Sequence, residues 1–283
     1  MILVTGAKGV VGEPLCRELI RRGTPFRAVS RSARDEDNAL KWDMELPFPM
    51  QRADAFSAMV HCAPLWLLPA HLEALYAQGM RALVVFSSTS IEGKQHSQSG
   101  LEQTIVQRLK HAEQTLIEFA AKHQLSLVIL RPTLIYGYQR DDNVAQIARI
   151  IRRYGVFPLV GKASGLRQPI HADDLVTVAL NALERGALEE RGPIYNITGA
   201  ETLSYRKMVE RIFNTLGRRP RTVTVPLWLM RLGLAALGRL SGGRYTADMA
   251  DRMNTDLVYD DEAARSAFDH HPRAFQPIRQ VDV

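Results

Sequence analysis

The sequence predicts a doubly wound α/β fold: a parallel sheet covered by helices on both faces, with a smaller, mostly helical C-terminal region. Three observations carry this. Short apolar runs alternate with amphipathic stretches through the first half of the chain, the rhythm of β-α-β units. A glycine loop, VTGAKGVVG from Val4 to Gly12, stands between the first apolar run and the first amphipathic stretch. After Pro132 the rhythm changes to amphipathic helices separated by Pro-bounded turns.

The elements follow in order. ILVTG is a strand, and GEPLCRELIRRG is a helix with Leu15, Leu19 and Ile20 on one face and Gly23 as its stop. FRAVS, ALKWD, SAMVHCA, ALVVFSS and LSLVILRP are the next five strands. Helices PAHLEALYAQG and a long one from Leu101 to His123 connect the later ones, whereas 33–54 holds no full helix. Beyond Pro132, DNVAQIARIIRRYG and SYRKMVERIFNTLG are amphipathic helices. Between them, DDLVTVALNALERG and IYNIT return to the sheet as a helix and a strand. The dinucleotide-binding part is therefore expected over 1–138 and 170–198, and a smaller substrate-binding region over 139–169 and 199–283.

With 283 residues, 46% of them hydrophobic, the chain can build one large domain or two intimate ones. A net charge of +6 favours acidic small molecules such as nucleotides and sugar nucleotides. No basic stripe with interleaved aromatics is present, which argues against nucleic acid; pairs such as Arg21-Arg22 and Arg152-Arg153 read as solvated helix faces. Cys16 and Cys62 lack metal-ligand spacing and read as small core residues of a reducing compartment. The chain opens straight into a strand without a secretory signal, so a cytoplasmic location is expected. One run, VPLWLMRLGLAALGRLSG from Val225, is too short to span a bilayer. It reads as a packed C-terminal helix, with a helix lying on a membrane surface as the lesser reading.

The glycine loop carries the first chemistry. Gly6, Gly9 and Gly12 let the backbone turn sharply and approach a pyrophosphate, with Lys8, Val10 and Val11 between them. The helix that follows offers free N–H groups and the positive end of its dipole. A strand before and a helix after the loop make this a Rossmann dinucleotide site. At the end of the second strand, where a carboxylate would hold the ribose hydroxyls of NAD, stand Ser30 and Arg31. A guanidinium there, with Lys8 nearby, suits a 2′-phosphate, so NADP is expected and NAD is the alternative. Asp43, after the third strand, either accepts from the adenine amino group or is a turn residue.

These residues together resemble the short-chain dehydrogenase/reductase superfamily, in the extended or atypical branch of sugar-nucleotide epimerases and dehydratases. Thr5 to Gly12 match TGxxGxxG. HCAP, His61 to Pro64, stands where that family sets a strand-end loop against the cofactor, which assigns Ala63 to the site. SSTSIEG, aligned on Gly93, makes Ser88 the family's catalytic hydroxyl. RPTLIYG, from Arg131, resembles the segment that closes over the nicotinamide and brings in Pro132. In LRQPIHADDL, Arg167, His171 and Asp174 occupy the places of a diphosphate-binding arginine, a histidine and a helix-starting aspartate.

The resemblance also implies a tyrosine and a lysine four residues apart on one helix face. The lysine holds the nicotinamide ribose and lowers the tyrosine pKa from about 10 toward neutrality. Here VQRLK aligns Lys110 with that lysine, for both catalysis and cofactor binding, and Val106 with the tyrosine; Glu92 replaces the tyrosine of the family's VYG triplet. The proton carrier is left open among Glu92, His96, Tyr136 and Tyr138, with Arg167, Glu92 and Tyr136 expected to meet substrate. Two functions are consistent with this: an NAD(P)-dependent oxidoreductase, epimerase or dehydratase acting on a nucleotide-sugar or similar polar carbonyl compound; or a catalytically weak NADP-binding structural or sensor protein, like the accessory subunit of mitochondrial complex I. A homodimer through a second apolar stripe of the Leu101 helix is expected.

Overall fold

A computed structural model describes residues 1–32, 38–49, 55–95, 97–186, 193–240 and 248–277. The first strand, β1 (Ile2–Thr5), leads through the glycine loop into α1 (Gly12–Arg21). The chain continues as β2 (Phe26–Ser30), β3 (Ala39–Lys41) and β4 (Ala58–His61). Two short turns of 3₁₀-helix lead to α2 (Leu72–Ala77) and β5 (Ala82–Phe86). A short α3 (Ser90–Gly93) precedes the long α4 (Gly100–His123), which returns to β6 (Ser126–Pro132).

The second half follows with β7 (Ile135–Tyr136), α5 (Val144–Tyr154), β8 (Phe157–Val160), β9 (Leu166–Arg167) and β10 (Ile170–His171). Next come α6 (Ala172–Arg185), β11 (Ile194–Ile197), β12 (Leu203–Ser204) and α7 (Tyr205–Thr215). The chain closes with β13 (Thr222–Val225), α8 (Leu227–Leu240), α9 (Asp248–Arg252) and α10 (Glu262–Phe268).

Seven strands form one parallel sheet in the order β11-β6-β5-β4-β1-β2-β3. The order reverses between β1 and β4, and in doubly wound sheets a ligand crevice opens at that point, at the carboxyl ends of the strands. Strand alternation divides the core. Leu3, Met59, Leu83, Val85, Leu127 and Ile129 face α2 and α4, whereas Val4, Val60, Val84, Val128 and Leu130 face α1 and α6. On α1, Leu15 and Leu19 are fully buried, but Ile20 lies one helical step (about 100°) further round and faces solvent.

A second core joins α5, α7, β8 and α9, with Phe157, Ile151, Phe213 and Phe275 buried together. The sequence reading put everything after residue 198 in this smaller region. The structure instead packs α10 on the sheet: Ala264, Ala267 and Phe268 are buried in the α1/α6 core, and the Phe268 ring meets Tyr195 at 4.7 Å. Arg273 reinforces this return by donating to the carboxylates of Asp174 (2.7 Å) and Asp173 (3.0 Å) on α6.

The apolar stripe expected to be free on α4 is not free. Ile105, Ile117 and Phe119 rest against the protein's own core, and Leu101 is the large hydrophobic of this helix left exposed.

Candidate active site

The glycine loop is shaped by contacts that only glycine permits. Gly6 has φ +66°, and a Cβ there would lie 2.6 Å from the Ala63 nitrogen. A Cβ on Gly12 would come within 2.1 Å of the Gly6 carbonyl oxygen. The loop is therefore pressed between the end of β4 and the start of α1, whose first turn has no side-chain cap. Uncapped N–H groups facing a glycine cradle are what a pyrophosphate requires. Beneath the loop, Thr5 Oγ1 and His61 Nδ1 are 2.7 Å apart, and His61 Nε2 lies 3.3 Å from the Pro64 carbonyl. Full burial pulls the His61 pKa down to about 4, so the ring is neutral and holds the β4 end loop in place.

A cleft of about 400 Å³ opens beside this loop. Val10, Val11 and Ala63 form its wall next to the glycine loop, and Trp66, Ser87 and Ser88 lie further along the lining. The Ser88 Oγ accepts the Ser90 N–H at 3.1 Å, an interaction that turns the chain into α3. The Ser87 Oγ is buried in this cleft and has no hydrogen-bond partner in the protein. A buried hydroxyl without a partner is costly, which sets Ser87 apart from its neighbours in the lining.

The opposite wall is α4, and here the structure corrects the sequence alignment. Lys110 is exposed and does not line the cleft, while Val106 is buried. The residues four apart that face the cleft are Ile105 and Leu109. The register is displaced by one residue, about 100° of helix rotation, because the apolar stripe Ile105, Leu109, Ala112, Leu116 fixes the inward face. Both members of the expected tyrosine–lysine pair are thus aliphatic. Glu113, one turn beyond Leu109, is buried and holds Arg131 in a fork of 2.9 and 2.5 Å contacts.

Other residues singled out by sequence have different surroundings. Glu92 accepts from Arg131 at 3.0 Å and is absent from the cleft lining. Tyr136 is fully buried in the second core, with its ring edge-on to His171 (5.1 Å) and Phe275 (4.9 Å), so it does not meet the cleft as expected. Tyr138 donates to Asp173, and the Arg17 guanidinium covers its ring at 4.4 Å. Arg167 is buried and donates to the carbonyls of Leu166 (2.6 Å), Thr255 (2.8 Å) and Arg252. Burial depresses its pKa, and the contacts to Thr255 and Arg252 fix the 252–255 turn. His171 caps α6 by accepting the Asp173 N–H at 3.1 Å. His96 lies outside the described residues.

Beyond the glycine loop, Ser30 closes β2 and Arg31 follows it exposed. Lys8 donates to Ser32 Oγ at 2.7 Å, which brings its ammonium to the same loop as Arg31. Asp43 Oδ1 accepts the Glu45 N–H at 3.1 Å, the geometry of a turn residue. Pro132 accepts from Thr89 Oγ1 at 3.1 Å and so ties β6 to the serine loop. Arg140, which the sequence reading missed, pairs with Glu13 and donates to the Lys8 carbonyl at 3.3 Å, linking the segment after β7 to the glycine loop.

Tyr259 was also missed. Its hydroxyl donates to the Thr89 carbonyl at 3.2 Å and would lie 2.5 Å from a Cβ on Gly93, so the C-terminal segment closes over the serine loop. Partial burial raises its pKa. No local signal marked it, since the contact joins residues 170 apart in sequence.

Comparison with known proteins agrees with this architecture. Residues 70–198 match the NAD dependent epimerase/dehydratase family. A UDP-glucose 4-epimerase of Vibrio cholerae is 21% identical over 92% of this chain and 87% of its own length. A 2-alkyl-3-oxoalkanoate reductase of Stenotrophomonas maltophilia is 27% identical over 96% and 94%. The crystal structure of UDP-glucuronic acid 4-epimerase from Bacillus cereus in complex with UDP-glucuronic acid and NAD superposes with a TM-score of 0.74 at 15% identity, over 98% of this chain and 95% of that one. The chain thus shares the fold of this epimerase over nearly its whole length, and its segment 70–198 carries the match to the epimerase/dehydratase family.

Proposed function

We propose that this protein binds a nicotinamide dinucleotide in the β1/β4 crevice and takes a nucleotide-sugar or a similar polar carbonyl compound as its second ligand. The observation that carries the reading is the glycine cradle, where Gly12 and Gly6 leave no room for a side chain, opening onto a cleft with an unpartnered buried Ser87 hydroxyl. The relatives support the ligand classes: one solved structure holds UDP-glucuronic acid with NAD, and one relative is named as a reductase of an oxoalkanoate.

The residues present fit the cofactor. Gly6, Gly9 and Gly12 with the N-terminus of α1 would hold the pyrophosphate, Val10, Val11 and Ala63 would pack on the dinucleotide, and Arg31 with Lys8 would meet a 2′-phosphate. NADP is therefore the cofactor proposed over NAD. When bound, it would supply hydride chemistry; Ser88 would orient a carbonyl by its hydroxyl. Arg167 is the proposed diphosphate contact, once it exchanges backbone carbonyls for phosphate oxygens.

The aliphatic pair Ile105 and Leu109 favours a second reading within the same fold: cofactor binding with slow or absent turnover, in a structural or sensing role. Positioned acid–base groups contribute about 10²–10⁴-fold in rate, and α4 presents none to the cleft. Two experiments separate the readings. Calorimetric titration with NADPH and NADH tests the cofactor: no binding of either overturns the proposal. Turnover on a panel of UDP-sugars and 3-oxoacids, with Ser88→Ala and Lys110→Ala as controls, tests the chemistry. Rapid turnover lost with Ser88→Ala but retained with Lys110→Ala supports an enzyme whose proton carrier lies off α4.

The cytoplasmic location and the homodimer expected from sequence are retained as proposals. The outward face of α4 is polar apart from Leu101 and Ala121. Light scattering that shows a monomer at high concentration would remove the dimer.

A further inference from the structure

We propose that α8 seats the protein on the surface of an anionic lipid membrane. This helix reverses the usual rule for a surface helix. Met230 and Leu234 turn inward and pack against the second core. At about 100° per residue, Trp228, Leu229, Leu232 and Ala236 share the opposite side. That side faces solvent: Trp228 is 64% and Leu232 61% exposed. An ordinary surface helix carries charge there, and this one carries apolar side chains on both faces. The patch continues onto β13, just before α8, through the exposed Val223. Among the described residues, no helix is long and apolar enough to cross a membrane. A 14-residue helix is about 21 Å long and would lie in the interface plane.

Charge selects the occupant. From Arg211 to Ala247 the sequence has seven arginines and no aspartate or glutamate. Arg218, Arg219 and Arg221, immediately before β13, are exposed. A second copy of this chain docked on the patch would bring two arginine-rich rims together. Anionic headgroups would instead complement them. Tryptophan beside such a rim is the side chain that settles at the headgroup level. Arg231 is already paired with Asp251 at 2.7 Å, which anchors α8 to α9 and keeps the apolar stripe outward.

The test is vesicle co-sedimentation of the full chain. Binding to phosphatidylcholine vesicles containing phosphatidylglycerol, weak binding to phosphatidylcholine alone, and loss at high salt are expected. Trp228→Glu with Leu232→Glu should weaken binding by about tenfold or more. Arg218→Glu with Arg219→Glu and Arg221→Glu should remove the preference for anionic lipid. Circular dichroism and thermal melting serve as the fold control in each variant. Absence of binding, or equal binding to both vesicle types, overturns the proposal. So does a dimer in light scattering that Leu232→Glu breaks while vesicles go unbound.

Discussion

On one side of the cleft, the glycine loop presents backbone donors held by contacts as close as the chain permits; on the other, α4 presents Ile105 and Leu109. Both walls are equally well built. The loop is locked by Gly6, Gly12 and the neutral His61, and α4 by the buried Glu113–Arg131 fork. They differ in what they offer a ligand. A pyrophosphate needs only N–H groups and space, which backbone geometry supplies. Proton transfer needs a titratable side chain at one position, and an aliphatic residue there leaves the fold intact while removing the chemistry. Binding and turnover are therefore separable in this architecture, and the two walls can be perturbed independently.

The largest effect is expected from closing the binding wall. Gly12→Val places atoms where the Gly6 carbonyl already stands, so NADPH and NADH binding should vanish in calorimetry while circular dichroism still reports the sheet. Retained affinity would mean that the dinucleotide does not lie on this loop.

Next in size is supplying the other wall. Ile105→Tyr with Leu109→Lys installs a titratable pair at the positions that face the cleft. Turnover of a UDP-sugar that the parent protein processes slowly should rise by about 10²–10⁴-fold. The same pair built at positions 106 and 110 should produce no gain. Equal gains would put the α4 register in doubt.

His61 gives a pH-dependent version of the comparison, since it props the binding wall. Its pKa falls from an ordinary 6.5 to about 4 on burial, so the unfolded chain takes up the proton first as the solution is acidified. The stabilisation is complete above pH 6.5 and is lost as pH falls toward 4, amounting to about 3 kcal/mol. His270, also lowered by burial, adds in the same direction. Urea midpoints measured through this window should decline, and less steeply in His61→Gln.

The smallest effect concerns selectivity at the adenine end. Arg31→Ala should reduce the preference for NADPH over NADH by about ten- to a hundredfold, the worth of one charge-assisted contact. Equal affinities in the unmodified protein would sink the 2′-phosphate assignment.

Much of this was legible in the primary structure because it depends on local rules. The strand-loop-helix context of Gly6, Gly9 and Gly12 fixes the cradle, and β-α alternation fixes the parallel sheet. The place of Ser88 on the cleft followed from its position after a strand end. Lys110 failed because a conspicuous cation outweighed a quieter signal. The apolar stripe through Ile105, Leu109, Ala112 and Leu116 already showed which side of α4 turns inward. Tyr136 failed in the same way: a tyrosine in a loop-like motif suggested reach, whereas the structure commits it to the second core.

By itself, the sequence determined the fold class, the glycine cradle and the composition of each helix, since these rest on periodicity and on backbone freedom at a few glycines. Only the tertiary structure decided which face each helix turns where. It rotated α4 so that Lys110 leaves the cleft, folded α10 back onto the sheet, carried Tyr259 to the serine loop, and left Trp228 and Leu232 of α8 uncovered. The reason is physical. A helix with apolar residues on two sides, or a segment that closes over a site 170 residues away, is placed by the volume and polarity of what it packs against, and that information is spread over the whole chain.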